Sequence, residues 1–306
     1  MPNEMRRAYL ALLIGVFFFS FSSILIRYSD APAPAIAAYR MLFAALILAP
    51  FAFLVPRARK ETLELKRGDA LFMAAIGIVL AFHFLFFVSA VQMTSVASAT
   101  ILINAHPIFV AILAFAALHE GSRWTTLGAI IGVLGILVIS ISDLGYGTNS
   151  LGDMLAVAGA LLEAVYIIMT RFMRRKVGIL TFVFVVNSVC ALTLIALCVA
   201  GGVPLWPYSQ NQLLVFLAMA IIPAVLGYTL YNYSMRWIIA PRVSVIQLLE
   251  ALFASIMAAF LFAEYPDALI YVGAALIFIG IYLAVRSNKK QVTMSSGGGS
   301  TPGPER

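Results

Sequence analysis

The stretch GAIIGVLGI at residues 128–136 is matched by GAALIFIGI at residues 273–281. These two stretches are 145 residues apart (273 − 128). Nearer the N-terminus, the second half of the chain aligns with the first at a constant offset of 144 residues. The aligned pairs are Gly15 with Gly159, Ile24 with Ile168, Arg27 with Arg171, Phe72 with Phe216, Ile78 with Ile222, Phe109 with Phe253, Ala114 with Ala258 and Glu120 with Glu264. Because the offset persists over most of the chain and includes glycines and charged residues, it predicts two repeats, residues 1–145 and 146–290.

The composition is typical of a protein embedded in a lipid bilayer. Of its 306 residues, 63% are hydrophobic and 11% are charged, and the mean hydropathy is +1.01. A soluble domain has about 45–50% apolar and about 25% charged residues. A water-soluble core of this size cannot hide so much apolar surface, so we expect an integral membrane protein.

Ten apolar segments are long enough to cross a bilayer as helices, which takes about 20 residues each. Turn or charge signals separate them, such as Asp30-Ala31-Pro32 and Gly201-Gly202-Val203-Pro204. The predicted spans are residues 8–26, 35–55, 70–90, 96–118, 124–142, 151–170, 179–200, 211–235, 243–262 and 267–285. The predicted fold class is therefore all-α integral membrane, with ten transmembrane helices in two five-helix repeats.

The positive charges orient these spans. If the N-terminus is inside, all of the 20 Lys and Arg residues except Arg27 and Arg40 fall in cytoplasmic segments. Short loops rich in Lys and Arg stay on the cytoplasmic side of a membrane. We therefore expect a multi-pass protein of the cell (inner) membrane with both termini in the cytoplasm. The net charge of +7 is a topology signal and does not indicate a nucleic-acid partner.

Other features exclude further classes. The N-terminal apolar run lacks a small-residue cleavage site and is expected to be a retained first span rather than a signal peptide. Cys190 and Cys198 are separated by about 12 Å of helix, too far for a disulfide within it. No Cys/His cluster has the spacing of a metal site, so no metal and no cofactor are expected. Residues 291–306 are expected to form a disordered cytoplasmic tail.

Five spans per repeat is an odd number, so the second repeat must be inverted relative to the first. Inverted repeats recur in secondary transporters, whose binding site lies near the membrane midplane where the repeats meet. Two near-equivalent halves can exchange conformations, which converts an inward-open state into an outward-open one. The repeat therefore favours a transporter.

The chain also resembles a known family, the EamA-type members of the drug/metabolite transporter superfamily. The similar motifs are AYRMLF at residues 38–43, Ser98-Ala99-Thr100 running to Pro107, Leu118-His119-Glu120 and the glycine-rich fifth span. The resemblance covers residues 8–286 and implies uptake or export of small metabolites such as amino acids, their derivatives or amphipathic drugs. The second repeat has Phe182 to Phe184 near the place where Arg40 would recur, so this arginine belongs to one repeat only.

Ionisable side chains inside a span are costly, about 2.5–3.5 kcal/mol for Arg, Lys or Asp at the helix centre, and persist where they meet a partner or a wet cavity. Each candidate therefore has a structural alternative, a buried pair or ring packing that only fixes the helices. The candidates for substrate binding or proton coupling are Glu250, His106, Glu163, His83, Arg40, Gln247, Asn104, Tyr166, Tyr228 and Tyr231.

Glu250 and His106 are the central pair of this prediction. They are 144 residues apart, so the axis relating the repeats should place them at equivalent depth on facing helices. A carboxylate and an imidazole there could exchange protons with a substrate, since histidine titrates near neutral pH. The alternative is a buried pair of Glu250 with His106 or Arg40. Gln247, three residues before Glu250, is expected to share its helix face.

Two prolines are candidate hinges. Pro107 lies beside His106 in the fourth span, and Pro223 lies in the eighth. A proline removes a helical hydrogen bond, and the freed carbonyls often line a cavity. The alternative is the ordinary tolerance of membrane helices for proline.

The remaining candidates combine acid and aromatic groups. Glu163, with Tyr166 three residues on, is either a second acidic contact or the partner of a nearby base. His83 lies in a phenylalanine-rich stretch, and the corresponding region of the second repeat contains Tyr228 and Tyr231. Such rings bind flat or cationic ligands by stacking and cation–π contact, or they simply pack.

The sequence therefore predicts a secondary transporter of an amino acid, amine or amphipathic drug-like compound, working by alternating access with proton coupling or exchange. The alternative is a multi-span membrane enzyme or a channel without coupled transport, although no HExxH or Ser/His/Asp arrangement indicates an enzyme. The expected partners are a small-molecule substrate and membrane lipid. The close-packing motif of Gly128 and Gly132, with Gly273 and Gly280, predicts either scaffold contacts or a homodimer.

Overall fold

The computed structural model describes residues 2–93, 102–140, 150–262 and 268–286, and every regular element in these ranges is a helix. The helices are α1 (Pro2–Arg27), α2 (Ala33–Leu54), α3 (Pro56–Leu63), α4 (Arg67–Met93), α5 (His106–Leu118), α6 (Arg123–Ser140), α7 (Ser150–Arg174), α8 (Ile179–Ala200), α9 (Gln210–Met219), a π-helical segment (Ala220–Tyr228), α10 (Thr229–Ser234), α11 (Ala240–Gln247), α12 (Leu249–Phe262) and α13 (Ala268–Arg286). Ser98-Ala99-Thr100, Glu264 and the tail at residues 291–306 lie outside the described residues.

Six helical stretches of the described ranges are long and apolar enough to cross a membrane. They are α1, α2, α4, α7, α8 and the continuous run from α9 through the π-helical segment to α10. Apolar parts of α5, α6 and α13 are shorter. In a helix the backbone N–H and C=O groups form hydrogen bonds with one another, which is necessary in a bilayer because lipid tails offer no hydrogen-bond partners. The chain is thus a multi-pass, all-helical membrane protein.

The two helices that contain the glycine-rich stretches pack backbone to backbone. A Cβ atom on Gly128 of α6 would lie 2.5 Å from the carbonyl oxygen of Gly280 in α13, and one on Gly135 would lie 2.6 Å from that of Gly273. The helices therefore run antiparallel in close contact. Gly128 aligns with Gly273, and Gly135 aligns with Gly280. The contact of Gly128 with Gly280 is therefore the repeat equivalent of the contact of Gly135 with Gly273. The glycine face of α6 is therefore covered by α13 of the same chain.

A second pair of contacts is also related by the repeat. Gly15 of α1 lies against the backbone of Gly227 in the π-helical segment, while Gly159 of α7 lies against the backbone of His83 in α4. Gly15 and Gly159 are repeat equivalents, and so are His83 and Gly227. The first helix of each repeat thus packs against the third crossing of the other repeat.

The fourth and ninth predicted spans are both interrupted. A turn at Asn104 and Ala105 precedes α5, and Leu248 separates α11 from α12. Asn104 and Leu248 are 144 residues apart, so the interruptions are repeat equivalents. Pro107 lies in the first turn of α5, where a missing N–H costs no helical hydrogen bond. The predicted kink at Pro107 is therefore a helix start, and the span over residues 243–262 is built from two helices.

Loops at each end of the bundle meet as the predicted alternation of spans requires. At one end the Glu61 carboxylate accepts a hydrogen bond from Gly178 N at 2.8 Å, which joins the segments after the second and sixth spans. At the other end Gln212 Oε1 accepts from Asp30 N at 3.1 Å, which joins the segment after the first span to the start of the eighth. The predicted alternation of spans puts these two pairs on opposite sides of the membrane.

Glu120, predicted for a loop after the fourth span, is buried in an ion-pair network at the same end as Glu61. Its carboxylate accepts from Arg171 Nε at 3.1 and 3.3 Å, from Arg175, and from Ala240 N at 3.2 Å. The network therefore ties together the ends of α5 and α7 and the start of α11.

Candidate functional site

Glu163 is the centre of a polar cluster inside the bundle. It lies on α7 with 2% of its surface exposed. Its Oε1 accepts a hydrogen bond from Gln247 Nε2 at 3.5 Å, and its Oε2 lies 3.4 Å from His83 Nε2. Oε2 has no hydrogen-bond partner among the described residues. A buried carboxylate held this weakly keeps acceptor capacity for a proton or a ligand donor.

His83 is fixed by the helix that also contains Glu163. Its Nδ1 lies 2.9 Å from the Gly159 carbonyl oxygen, which can only accept, so Nδ1 carries a proton and Nε2 is presented to Glu163. The imidazole also stacks on Phe87, with centroids 6.3 Å apart and planes 6° apart. The predicted aromatic surroundings are present, and one face of the imidazole is used for internal packing.

Gln247 connects Glu163 to the rings of the second repeat. It is the last residue of α11, and its Oε1 accepts from the Tyr231 hydroxyl at 2.6 Å. Because Oε1 is used in this way, the NH₂ group of Gln247 is the end that reaches Glu163. The predicted continuous face shared by Gln247 and Glu250 is interrupted, since Leu248 lies between their helices.

Tyr166 binds a residue that the sequence analysis did not select. It is fully buried one turn from Glu163, and its hydroxyl donates to Asn232 Oδ1 at 3.0 Å. The backbone oxygen of Asn232 accepts from Arg174 Nε at 3.0 Å. Asn232 was visible in the sequence as an amide between Tyr231 and Tyr233 inside an apolar span, which is a polar signal of the same kind as Asn104.

Arg40 on α2 supplies buried positive charge. Its Nη1 donates to Ser22 Oγ at 2.9 Å, and its guanidinium lies 5.1 Å from the ring centroid of Phe84 and 5.5 Å from that of Tyr228. Its Nε has no hydrogen-bond partner, and Arg40 forms no carboxylate ion pair within the described ranges. The predicted alternative of a direct Glu250–Arg40 pair is thus not formed. Aromatic faces stabilise the guanidinium instead.

Five rings from both repeats surround these charges; we name them the aromatic collar. They are Phe19, Phe84, Tyr166, Tyr228 and Tyr231. The shortest separation in the collar is 4.4 Å, between the ring centroids of Phe19 and Tyr228. Tyr228 ends the π-helical segment, which also contains Pro223. The second predicted hinge therefore lies in an irregular helix directly before the collar, and π-helical turns are frequent at functional sites.

His106 occupies the interruption of the fourth span. It is 2% exposed, and its Nδ1 lies 3.2 Å from the Ile103 carbonyl oxygen. A carbonyl oxygen can only accept, so the imidazole is the donor of this contact. His106 Nε2 is buried without a hydrogen-bond partner among the described residues and interacts electrostatically with Glu163. Asn104 lies in the preceding turn.

Glu250 lies in the equivalent interruption of the ninth span, in the first turn of α12, and is half-buried. The N–H groups of a first turn carry partial positive charge, which favours a carboxylate there. Glu250 interacts electrostatically with Glu163 and Arg40. It forms no ion pair with His106 among the described residues. The structure therefore connects the predicted pair through Glu163, which interacts with both residues.

The cluster combines three chemical capacities. Glu163 and Glu250 can hold a proton or attract a cation, Arg40 can attract a carboxylate, and the aromatic collar can contact an ammonium group or an apolar body. Within the described ranges no three His, Cys, Asp or Glu side chains gather as metal ligands. The arrangement is suited to binding and proton exchange.

Among the described residues, cavities open at the loop ends, and none of the cluster residues lines the two described next. The first has a volume of about 330 Å³ and is lined by residues of the ranges 55–61, 174–180 and 233–237. The second, of about 260 Å³, lies beside Glu120 and Pro241. Most of the cluster is closed to solvent in this conformation, since Glu163, His83, His106 and Arg40 are buried and Glu250 is half-buried.

The fold and the polar interior are those of a multi-pass membrane protein with buried ionisable groups. The sequence model of the EamA-like transporter family matches residues 6–141 and residues 150–286, one match in each half. The chain belongs to this family, in agreement with the resemblance to the drug/metabolite transporter superfamily.

Relatives of the chain include proteins named as transporters. An uncharacterized transporter of Archaeoglobus fulgidus is 25% identical over 290 residues, which cover 92% of this chain and 97% of the relative. The S-adenosylmethionine uptake transporter of Rickettsia felis is 25% identical over 263 residues, 84% of each chain. A chloroplastic WAT1-related protein of Arabidopsis thaliana is 25% identical over 259 residues, 81% of this chain and 61% of that protein.

A solved crystal structure has the same fold. It superposes with a TM-score of 0.77 at 19% sequence identity, over 91% of this chain and 96% of the other.

Proposed function

We propose that this protein is a secondary transporter that moves a small metabolite across the cytoplasmic membrane by alternating access. Membership of the EamA-like transporter family and the two transporter-named relatives support transport as the activity. The closed conformation of the polar cluster suits a carrier, which exposes its site to one side at a time.

The proposal includes ten crossings in two inverted repeats. The six long apolar stretches supply six crossings, the fourth and ninth are the interrupted helices, and α6 and α13 are the fifth and tenth. The antiparallel contact of α6 with α13 supports the inversion, because two repeats of the same orientation would place these helices parallel. The distribution of Lys and Arg supports cytoplasmic termini.

One observation carries the proposal: both repeats contribute ionisable side chains to one closed cluster. Arg40, His83 and His106 come from the first repeat, and Glu163 and Glu250 come from the second. Ionisable groups buried in a membrane protein mark substrate and ion pathways, and a site between inverted repeats changes its access when the repeats move.

We further propose that Glu163 couples transport to protons. Its carboxylate lies 3.4 Å from His83 Nε2 of α4, and it acts electrostatically on His106 of α5 and Glu250 of α12. Protonation of Glu163 removes its charge and weakens its contacts with His83 and Gln247, so proton binding can change how the helices hold together. Substrate exchange without protons is the competing mechanism.

The proposed substrate is a zwitterion or amine of amino-acid size. The cluster combines two carboxylates, Glu163 and Glu250, with the guanidinium of Arg40, which suits a ligand that has both an ammonium group and a carboxylate. The Rickettsia felis relative is named for uptake of S-adenosylmethionine, which contains an amino-acid group.

The test is flux into proteoliposomes. We expect saturable uptake or efflux of at least one radiolabelled amino acid, amine or S-adenosylmethionine, driven by an imposed pH gradient and abolished by a protonophore. Counterflow that does not depend on the pH gradient would show that the protein exchanges substrates and does not couple transport to protons. Absence of flux and of counterflow for all three classes would contradict the proposed substrates, and conductance without saturation would indicate a channel.

A further inference from the structure

The first cavity is lined by more basic than acidic side chains. Four basic residues line it: Arg57, Arg174, Lys176 and Arg236. None of them forms an ion pair with a carboxylate in residues 2–93, 102–140, 150–262 or 268–286. The cavity therefore attracts anions.

The acidic residue in the lining is engaged elsewhere. Glu61 Oε1 accepts from Gly178 N at 2.8 Å, and its Oε2 accepts from Thr181 Oγ1 at 2.9 Å. Both donors belong to the start of α8, so the Glu61 carboxylate caps this helix N-terminus. Its negative charge still acts on Arg174 and offsets one of the four positive charges, so a formal excess of three (4 − 1) remains.

Arg174 is the decisive residue, because it is 1% exposed and lines the cavity. Its Nε and Nη1 donate to the backbone oxygens of Asn232 and Val177, and its guanidinium lies 5.8 Å from the Phe182 ring centroid. These direct partners are neutral, and the nearby charges of Glu61 and Arg236 have opposite signs, so the buried guanidinium has no ion pair of its own, which is costly.

A buried donor in the same lining points to the same conclusion. The indole Nε1 of Trp237 has no hydrogen-bond partner among the described residues. Buried donors are normally paired, since an unpaired one costs about 1–3 kcal/mol. An oxyanion in the cavity would provide acceptor oxygens and the missing negative charge together.

We propose that this cavity binds the phosphate group of a phosphate ester. A phosphate offers several acceptor oxygens and up to two charges, which suits a group of arginine and lysine side chains. The volume of about 330 Å³ leaves room for the esterified part. The same chemistry is present in a soluble phosphorylated metabolite and in an anionic lipid headgroup, and basic pockets between membrane helices bind such headgroups.

The test measures binding to the purified full-length protein with two probes. Glycerol phosphate is titrated against protein in uncharged detergent, and phosphatidylglycerol is titrated against phosphatidylcholine in nanodiscs. The test variant is Arg57→Gln/Arg236→Gln, since both side chains are exposed and their loss should leave folding intact. The matched control is Arg59→Gln, which removes an exposed charge from α3 outside the cavity lining.

The double variant should raise the apparent Kd about tenfold, while Arg59→Gln should change it less than about twofold. Binding of glycerol phosphate with this pattern assigns a soluble ligand, and binding of phosphatidylglycerol alone assigns a lipid headgroup. Either result supports the site. No saturable binding of either probe, or equal weakening by Arg59→Gln and the double variant, overturns it.

Discussion

At the residue scale, the polar cluster is centred on one carboxylate. Glu163 is linked to His83, to Gln247 and, electrostatically, to His106 and Glu250. The sequence analysis placed Glu250 and His106 at the centre because they are repeat equivalents. The structure places Glu163 there, which has no acidic equivalent in the first repeat. The site is therefore asymmetric although the scaffold is symmetric.

Replacing Glu163 by Gln should reduce transport at least tenfold and remove its dependence on pH, because an amide cannot exchange the proton. The substitution keeps the shape of the side chain, so the melting temperature in detergent should change by only a few degrees. Flux in proteoliposomes between about pH 5 and 8 measures the effect. Glu64→Gln, an exposed site with the same change of charge, is the control. Normal pH-dependent flux in the Glu163 variant would remove the proton role.

Replacing Glu250 by Gln tests the second carboxylate. We expect transport to be abolished or to lose its pH dependence while the protein stays folded, because the charge facing Glu163 and Arg40 is gone. The same flux assay applies, with circular dichroism to check the fold. If both flux and its pH profile match those of the unmodified protein, Glu250 is not part of the site.

At the scale of helices, glycine contacts set how close the repeats approach. Gly128 permits a backbone contact that any side chain would block, since an added Cβ would lie 2.5 Å from the Gly280 carbonyl oxygen. By contrast, an added Cβ at Gly68 of α4 meets no atom within 4 Å. The two positions offer a matched comparison of the same substitution in a helix.

Gly128→Ala should lower the free energy of unfolding by about 1–3 kcal/mol, because α6 and α13 must move apart. Gly68→Ala should be neutral or stabilising by up to about 1 kcal/mol, since alanine favours helix more than glycine. Thermal unfolding in detergent measures both. Equal melting temperatures for the two variants would show that the glycine contact does not limit packing.

At the scale of the whole molecule, the two loop ends define the membrane orientation. Lys60 lies at the end with Glu61 and Glu120, and Trp206 lies at the end with Gln212; both side chains are exposed. Cys190 and Cys198 are buried, so they give a low labelling background.

Single substitutions Lys60→Cys and Trp206→Cys should therefore label from opposite sides. An impermeant maleimide applied to intact cells should modify Trp206→Cys, while Lys60→Cys should react only after permeabilisation, as the positive charges predict. Labelling of both from outside would contradict the alternation of spans, and the reverse pattern would invert the proposed orientation.

The sequence by itself indicated that the protein lies in a lipid bilayer, that its chain is built from two repeats, and which family it resembles. These follow from composition, segment length and a 144-residue offset, which can be read along the chain without knowing which residues meet in space. The sequence also named most of the cluster, since ionisable groups in apolar helices are conspicuous. Only the tertiary structure decided which of them meet: Glu163 as the centre, Asn232 as a partner, and α13 as the occupant of the α6 glycine face. The physical reason is that lipid-facing and buried helix faces are both apolar in a membrane protein, so hydrophobic periodicity does not fix the rotation of a helix.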